Sequence, residues 1–96
     1  MAGDLERAQA LAEAILAESS EGPWRADVLV LLSDLVENLR EGAELCRRAV
    51  KAARGDDRRL ALANIRLGAA YARLGDQPAQ LDAQSTALVH AELSGD

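Results

Sequence analysis

The chain has 96 residues, a net charge of -5, 49% apolar residues and only two aromatic ones, Trp24 and Tyr71. That length suits one small domain, and an acidic chain with scattered basic residues does not offer the clustered Lys and Arg of a nucleic-acid surface. The apolar content is mostly Ala and Leu, both strong helix formers, and Val is scarce outside residues 28–36 and 50, so the expected fold class is all-α. The basic pairs Arg47-Arg48 and Arg58-Arg59 sit among acidic neighbours and read as solvated helix faces. The single Cys46 has no internal disulfide partner and suits a reducing compartment. Residues 1–20 lack the apolar core of a signal peptide, and the longest apolar run, Val28 to Leu32, is too short to span a bilayer. A cytoplasmic module away from membranes is the expectation.

Five amphipathic segments follow in order. The first runs from about Asp4 to Ser19, with Leu5, Ala8, Leu11, Ala12 and Ile15 at helical spacing. Residues 19–23 break it, and Pro23 starts a second helix to about Asn38. That helix carries Val28, Leu31, Leu32, Leu35, Val36 and Leu39 on more than one stripe, which predicts a central position. A short turn is expected at 38–42. The third helix, about Glu41 to Arg54, places Leu45, Cys46, Ala49, Val50 and Ala53 on one face, with Gly55 as its stop and Asp56 or Asp57 as the next start. The fourth, about Asp57 to Leu74, shows one stripe of Leu60, Ala63, Leu67, Tyr71 and Leu74 and a second of Leu62, Ile65, Ala69 and Ala72. The fifth, about Pro78 to Leu93, carries Leu81, Ala83, Ala87, Leu88 and Ala91.

The stretch Leu67 to Asp76 is the most specific motif. Gly68 lets a second helix approach the backbone, Tyr71 fills the space one turn on, Gly75 ends the helix in a left-handed cap, and Asp76 caps the helix that follows. These spacings are those of a tetratricopeptide-like hairpin. Leu29 and Leu67, Ala49 and Ala87, and Val50 and Leu88 each lie 38 positions apart. The expected architecture is therefore a single domain over 1–96, built of antiparallel helical hairpins stacked as a short solenoid of about five helices. In it 23–54 and 57–94 are hairpins, and 4–19 is an orphan second helix, because Gly3-Asp4 matches Gly75-Asp76. A solenoid that opens mid-repeat and ends without a polar cap helix reads as a fragment of a larger protein.

Gly22-Pro23-Trp24-Arg25-Ala26, Leu29 to Ser33, Gly42 to Val50, Asp56-Asp57 and Leu67-Gly68 together resemble the helical-repeat region of large actinobacterial LuxR-type regulators of the maltose-activator kind. The resemblance spans nearly the whole chain. It implies a sensor or interaction segment between an ATPase module and a DNA-binding helix-turn-helix. Neither of those modules is visible here, since there is no phosphate-binding Gly-Lys-Ser/Thr loop and no basic recognition helix. Gln80, Ser33 and Glu37-Asn38 depart from the repeat pattern, which makes the geometry between 36 and 42 the least regular part.

Catalysis has no visible constellation. His90, the only histidine, lacks a Cys, His or carboxylate at ligand spacing and reads as a partly exposed helix residue. Cys46 lies on an apolar stripe and reads as a small buried hydrophobe rather than a reactive thiol. Asp56-Asp57 follows a Gly and opens a helix, so capping explains it. Ser85-Thr86 and Ser19-Ser20 have no activating partner. No enzyme activity, metal or cofactor is expected.

Mapping the repeat onto the chain gives a candidate concave interaction face of Trp24, Asp27, Leu31 and Asp34, with Leu35, facing Leu62, Ile65, Ala69 and Arg73, with Ala72. The alternative for Trp24 is a packing plug over residues 19–22. Expected partners are a protein or a second copy as homodimer, with a small-molecule ligand also open. Direct nucleic-acid or membrane binding is not expected. Two functions follow: the interaction or sensor module of a transcriptional regulator, or a stand-alone tetratricopeptide adaptor or self-assembling structural module.

Overall fold

Caps and breakers cut the chain into five α-helices, with no strand among the described residues, 2–18 and 22–95, of the computed structural model. They are α1 (Ala2–Glu18), α2 (Trp24–Leu35), α3 (Leu39–Ala52), α4 (Asp57–Leu74) and α5 (Gln77–Leu93). Side-chain caps open the last three helices. Asn38 accepts from the Glu41 amide, Asp56 from Arg59 and Asp76 from Ala79, each satisfying an amide the helix leaves without a partner. Gly75 closes α4 at φ 77°, the left-handed conformation that only glycine adopts without strain, and the Asp76 amide bonds back to the Tyr71 carbonyl.

The direction of each helix can be read from its cross-links. Asp57, at the start of α4, meets His90 in the last turn of α5, so these two run antiparallel. Helices α3 and α4 pack on each other across the four-residue connection 53–56, with Arg47 reaching Tyr71, so they too run antiparallel. Asp27 and Asp34 of α2 meet Arg59 and Arg66 of α4 in the same order, so α2 and α4 run parallel. Packing follows the chain, α1 on α2, α2 on α3, α3 on α4 and α4 on α5, with α2 also touching α4. Helix α3 thus lies in the notch between two parallel neighbours. The molecule measures 38 × 31 × 18 Å, about two helix diameters in its thinnest direction.

The main core joins Ala12 and Leu16 of α1, Ala26, Leu29 and Leu32 of α2, Leu45, Ala49 and Ala53 of the α3 region and Ala63 of α4. A smaller cluster of Cys46, Leu67 and Ala83, flanked by Val50 and Tyr71, ties α3 and α5 to α4. Alanine supplies five of the nine buried residues of the main cluster, and short side chains let the helices pack closely. Gly68 carries this furthest. A Cβ there would sit 3.2 Å from Gln84 Cγ and 3.6 Å from the Gln80 carbonyl oxygen of α5.

Several local expectations need correction. The residues assigned to a turn at 38–42 belong to α3 apart from Asn38, because Asn38 caps that helix rather than ending α2, which stops at Leu35. Helix α1 begins at Ala2, so Gly3-Asp4 lies inside a helix and does not play the turn role of Gly75-Asp76. Its buried residues are Ala12 and Leu16, whereas Leu5, Leu11 and Ile15 are exposed, since among the described residues only α2 packs on this helix. In α5, Ala83 and Ala87 are buried but Leu81 and Leu88 face outward for the same reason. The expected end of the first helix at Ser19, and the Ser19-Ser20 pair, lie outside the described residues. No helix among the described residues is long and apolar enough to cross a membrane.

Candidate interaction face

The shared outer face of α2 and α4 is built by two seven-residue spacings. On α2, Trp24, Asp27, Leu31 and Asp34 fall on one side of the helix. On α4, Arg59, Leu62, Arg66, Ala69 and Arg73 do the same, with Ile65 beside them. All eight residues singled out from the sequence, Trp24, Asp27, Leu31, Asp34, Leu62, Ile65, Ala69 and Arg73, are exposed.

Two ion pairs bind the helices across this face. The Arg59 Nε donates to both carboxylate oxygens of Asp27 at 3.2 and 3.1 Å, and Arg66 donates to both oxygens of Asp34 at 3.1 Å. Arg59 also donates to Asp56 at 2.7 Å. The backbone amide and the guanidinium of Arg59 together hold the Asp56 carboxyl below its ordinary range, and the two aspartates push the Arg59 guanidinium further up. Exposed pairs of this kind add little to stability, and here they mark the register in which α2 lies on α4. Between the two rungs lie Leu31 and Leu62, with 56% and 50% of their surface in water, and Ile65, 54% in water, lies next to Leu62 on the side of α4 turned toward Ala91 of α5. An apolar strip of this kind framed by charges is the form of an interaction surface.

Sequence reasoning missed Arg59 and Arg66. Their partners lie 32 positions away, and the available signal was the matched i, i+7 spacing of Asp27/Asp34 and Arg59/Arg66. Arg59 is thus a cross-link rather than a purely solvated side chain. Arg47 is also engaged, donating to the Tyr71 hydroxyl at 3.0 Å, pairing with Glu44 at 2.8 Å and lying 5.9 Å from the Tyr71 ring centre.

Trp24 sits at the edge of the strip, half in water. Its indole lies against Gly22, where a Cβ would come within 2.9 Å of the ring. That contact is the described part of the plug geometry, and residues 19–21 lie outside the described residues.

At the far end of the face, where α2 stops, a cavity of about 40 Å³ is lined by Ser33, Asp34, Cys46, Arg66 and Arg73 among others. It has room for roughly three waters. Burial pushes the Cys46 thiol up, partly offset by a side-chain hydrogen bond to Ser33, so the thiolate needed for nucleophilic chemistry is disfavoured. His90 does have a carboxylate partner after all, with Nδ1 2.8 Å from Asp57 Oδ1. The pair spans two helix ends and is invisible to local spacing. No group of three or more His, Cys, Asp or Glu among the described residues is arranged to hold a metal. No protein-family model, curated protein or solved structure matches this chain.

Proposed function

We propose that this chain is a non-catalytic helical-repeat module that makes protein–protein contacts through the α2–α4 face. The observation that carries the reading is the exposed Leu31 and Leu62 held between the Asp27–Arg59 and Asp34–Arg66 pairs, with exposed Ile65 extending the strip beside Leu62. A rigid, parallel pair of helices presents the strip at fixed spacing, which lowers the ordering cost of binding. The tetratricopeptide-like solenoid reading draws support from the parallel α2 and α4, from α3 lodged between them, and from Gly68 at the α4–α5 contact. Service as the cytoplasmic sensor segment of a LuxR-type regulator rests on the sequence resemblance alone. A small-molecule ligand is the weaker choice, because the hollows of about 330 and 270 Å³ beside Leu62 are shallow and open to solvent and the more enclosed cavity is water-sized.

The test is selection of displayed 12-residue peptides on the immobilised chain, repeated with a Leu31→Ser/Ile65→Ser variant. Both positions are exposed, so the variant retains its fold, checked by circular dichroism. Peptides that bind the parent chain and lose at least ~10-fold in the variant support the reading, on the scale of burying two aliphatic side chains. Peptides indifferent to the substitutions, or no enrichment, overturn it. Tight duplex binding at physiological salt would remove the non-DNA-binding part of the proposal.

A second reading, self-assembly, is favoured by one separate observation. The outer side of α5 exposes Leu81, Leu88, Val89 and Leu93. Light scattering over a concentration series separates the two, since a monomer at high micromolar concentration eliminates self-assembly.

A further inference from the structure

The two ion pairs on the α2–α4 face are the first rungs of a ladder that has a third position. Arg59, Arg66 and Arg73 recur every seven residues along one side of α4, which continues to Leu74. The aspartates on α2 recur at the same interval, Asp27 opposite Arg59 and Asp34 opposite Arg66. Seven residues beyond Asp34 is position 41, but α2 has ended at Leu35. The backbone turns extended at Val36 (φ -81°, ψ 141°), and residue 41 is already in α3. The acidic row runs out one rung before the basic row.

At that end the charges do not balance. Arg66 and Arg73 line the small cavity beside the end of α2, with Asp34 as the only carboxylate among its lining residues. Glu37 and Asp76 follow the ends of α2 and α4 outside that lining, so the positive excess is confined to the cavity itself, in a chain of net charge -5. The approach to it is apolar, with Ala69 one turn before Arg73 and Ile65 and Leu62 before that, all exposed. A guanidinium in this position has the planar donor fork that a carboxylate accepts.

We infer that Arg73 is the docking point for an aspartate or glutamate side chain of a partner protein, which completes the ladder while neighbouring apolar residues of the same segment cover Leu62 and Ile65. This rests on the reading of the α2–α4 face as an interaction surface and specifies its partner: a segment with one carboxylate at a fixed distance from two or three aliphatic residues. Nucleic-acid phosphate does not fit the same place, because a polyanion laid along the face meets the carboxylates of Asp34 and Asp27 next.

The same peptide selection tests it, with the parent chain and an Arg73→Gln variant. Arg73 is exposed, so the variant is expected to keep the parent's thermal transition. Enriched peptides should share an Asp or Glu at a constant offset from their aliphatic residues. Replacing that acid by Asn or Gln in a synthetic peptide should weaken binding to the parent at least ~10-fold, the scale of a charge-assisted hydrogen bond. Against Arg73→Gln the acidic and amide peptides should bind equally. Enriched peptides without a fixed acid, or acid preference that survives Arg73→Gln, overturn the inference and leave the interaction face standing. Absence of any enriched peptide overturns both.

Discussion

Helices α3 and α5 are each the second member of an antiparallel pair, yet they bury very different amounts of themselves. Helix α3 has α2 on one side and α4 on the other, and it buries Gly42, Ala43, Leu45, Cys46 and Ala49. Among the described residues helix α5 touches only α4, and it buries Ala83 and Ala87, while Leu88 and Leu93 keep 67% and 65% of their surface in water. Their sequences differ in the same sense. Helix α3 separates its charged residues, Arg40, Glu41, Glu44, Arg47, Arg48 and Lys51, from its apolar ones, and α5 carries buried alanines on one side and exposed leucines on the other. A helix confined on two sides has its apolar positions assigned by its neighbours, whereas one with a single neighbour uses only the narrow alanine seam that this neighbour covers.

The largest expected effect falls on α3. Leu45 is buried in the core formed by α1 to α4, so Leu45→Ala should cost about 2–5 kcal/mol, the transfer loss plus the unfilled cavity. Chemical denaturation measures it, and a cost under about 1 kcal/mol would mean that α3 is not confined as described. Next comes the single seam that holds α5. Gly68→Leu puts a branched side chain where a Cβ already meets Gln84 Cγ at 3.2 Å. The end of Gln84 can swing aside but the Gln80 backbone cannot, so the expected cost is about 1–3 kcal/mol. An unchanged melting temperature would show that α4 and α5 are not in close contact.

These two contacts were unequally legible in the sequence. Gly68 was readable because close approach, cap and turn are encoded within ten residues, from Leu67 to Asp76. The α3 stripe was readable because confinement on two sides gives a clean period. Asn38 was misread as a helix end, since an Asn serves as N-cap or as helix-ending residue, and only the position of α3 decides which. Leu16 of α1, together with the exposure of Leu81 and Leu88, depended on which neighbour lies alongside, which periodicity does not state. For the candidate face, every residue placed there from the repeat spacing is exposed except Leu35, which is half-buried at the end of α2. The arginines that organise it were missed because a pair 32 positions apart has no meaning until α2 and α4 lie side by side. His90 and Asp57, 33 apart, escaped for the same reason.

The smallest effect should be on the outer side of α5, and it decides what that side is for. Leu88→Gln exchanges two good helix formers at an exposed position, so stability should move by no more than about 0.5 kcal/mol in dilute protein. The comparison with α3 then holds as stated, with α5 using its alanines and leaving its leucines idle. If the same substitution lowers the melting temperature at high protein concentration and not at low, the leucines are covered by a second copy, because association with the folded form stabilises it in proportion to concentration. Helix α5 would then be confined on two sides in the assembly, as α3 is within the chain. The difference between the two helices would lie in whether the second neighbour is covalently attached.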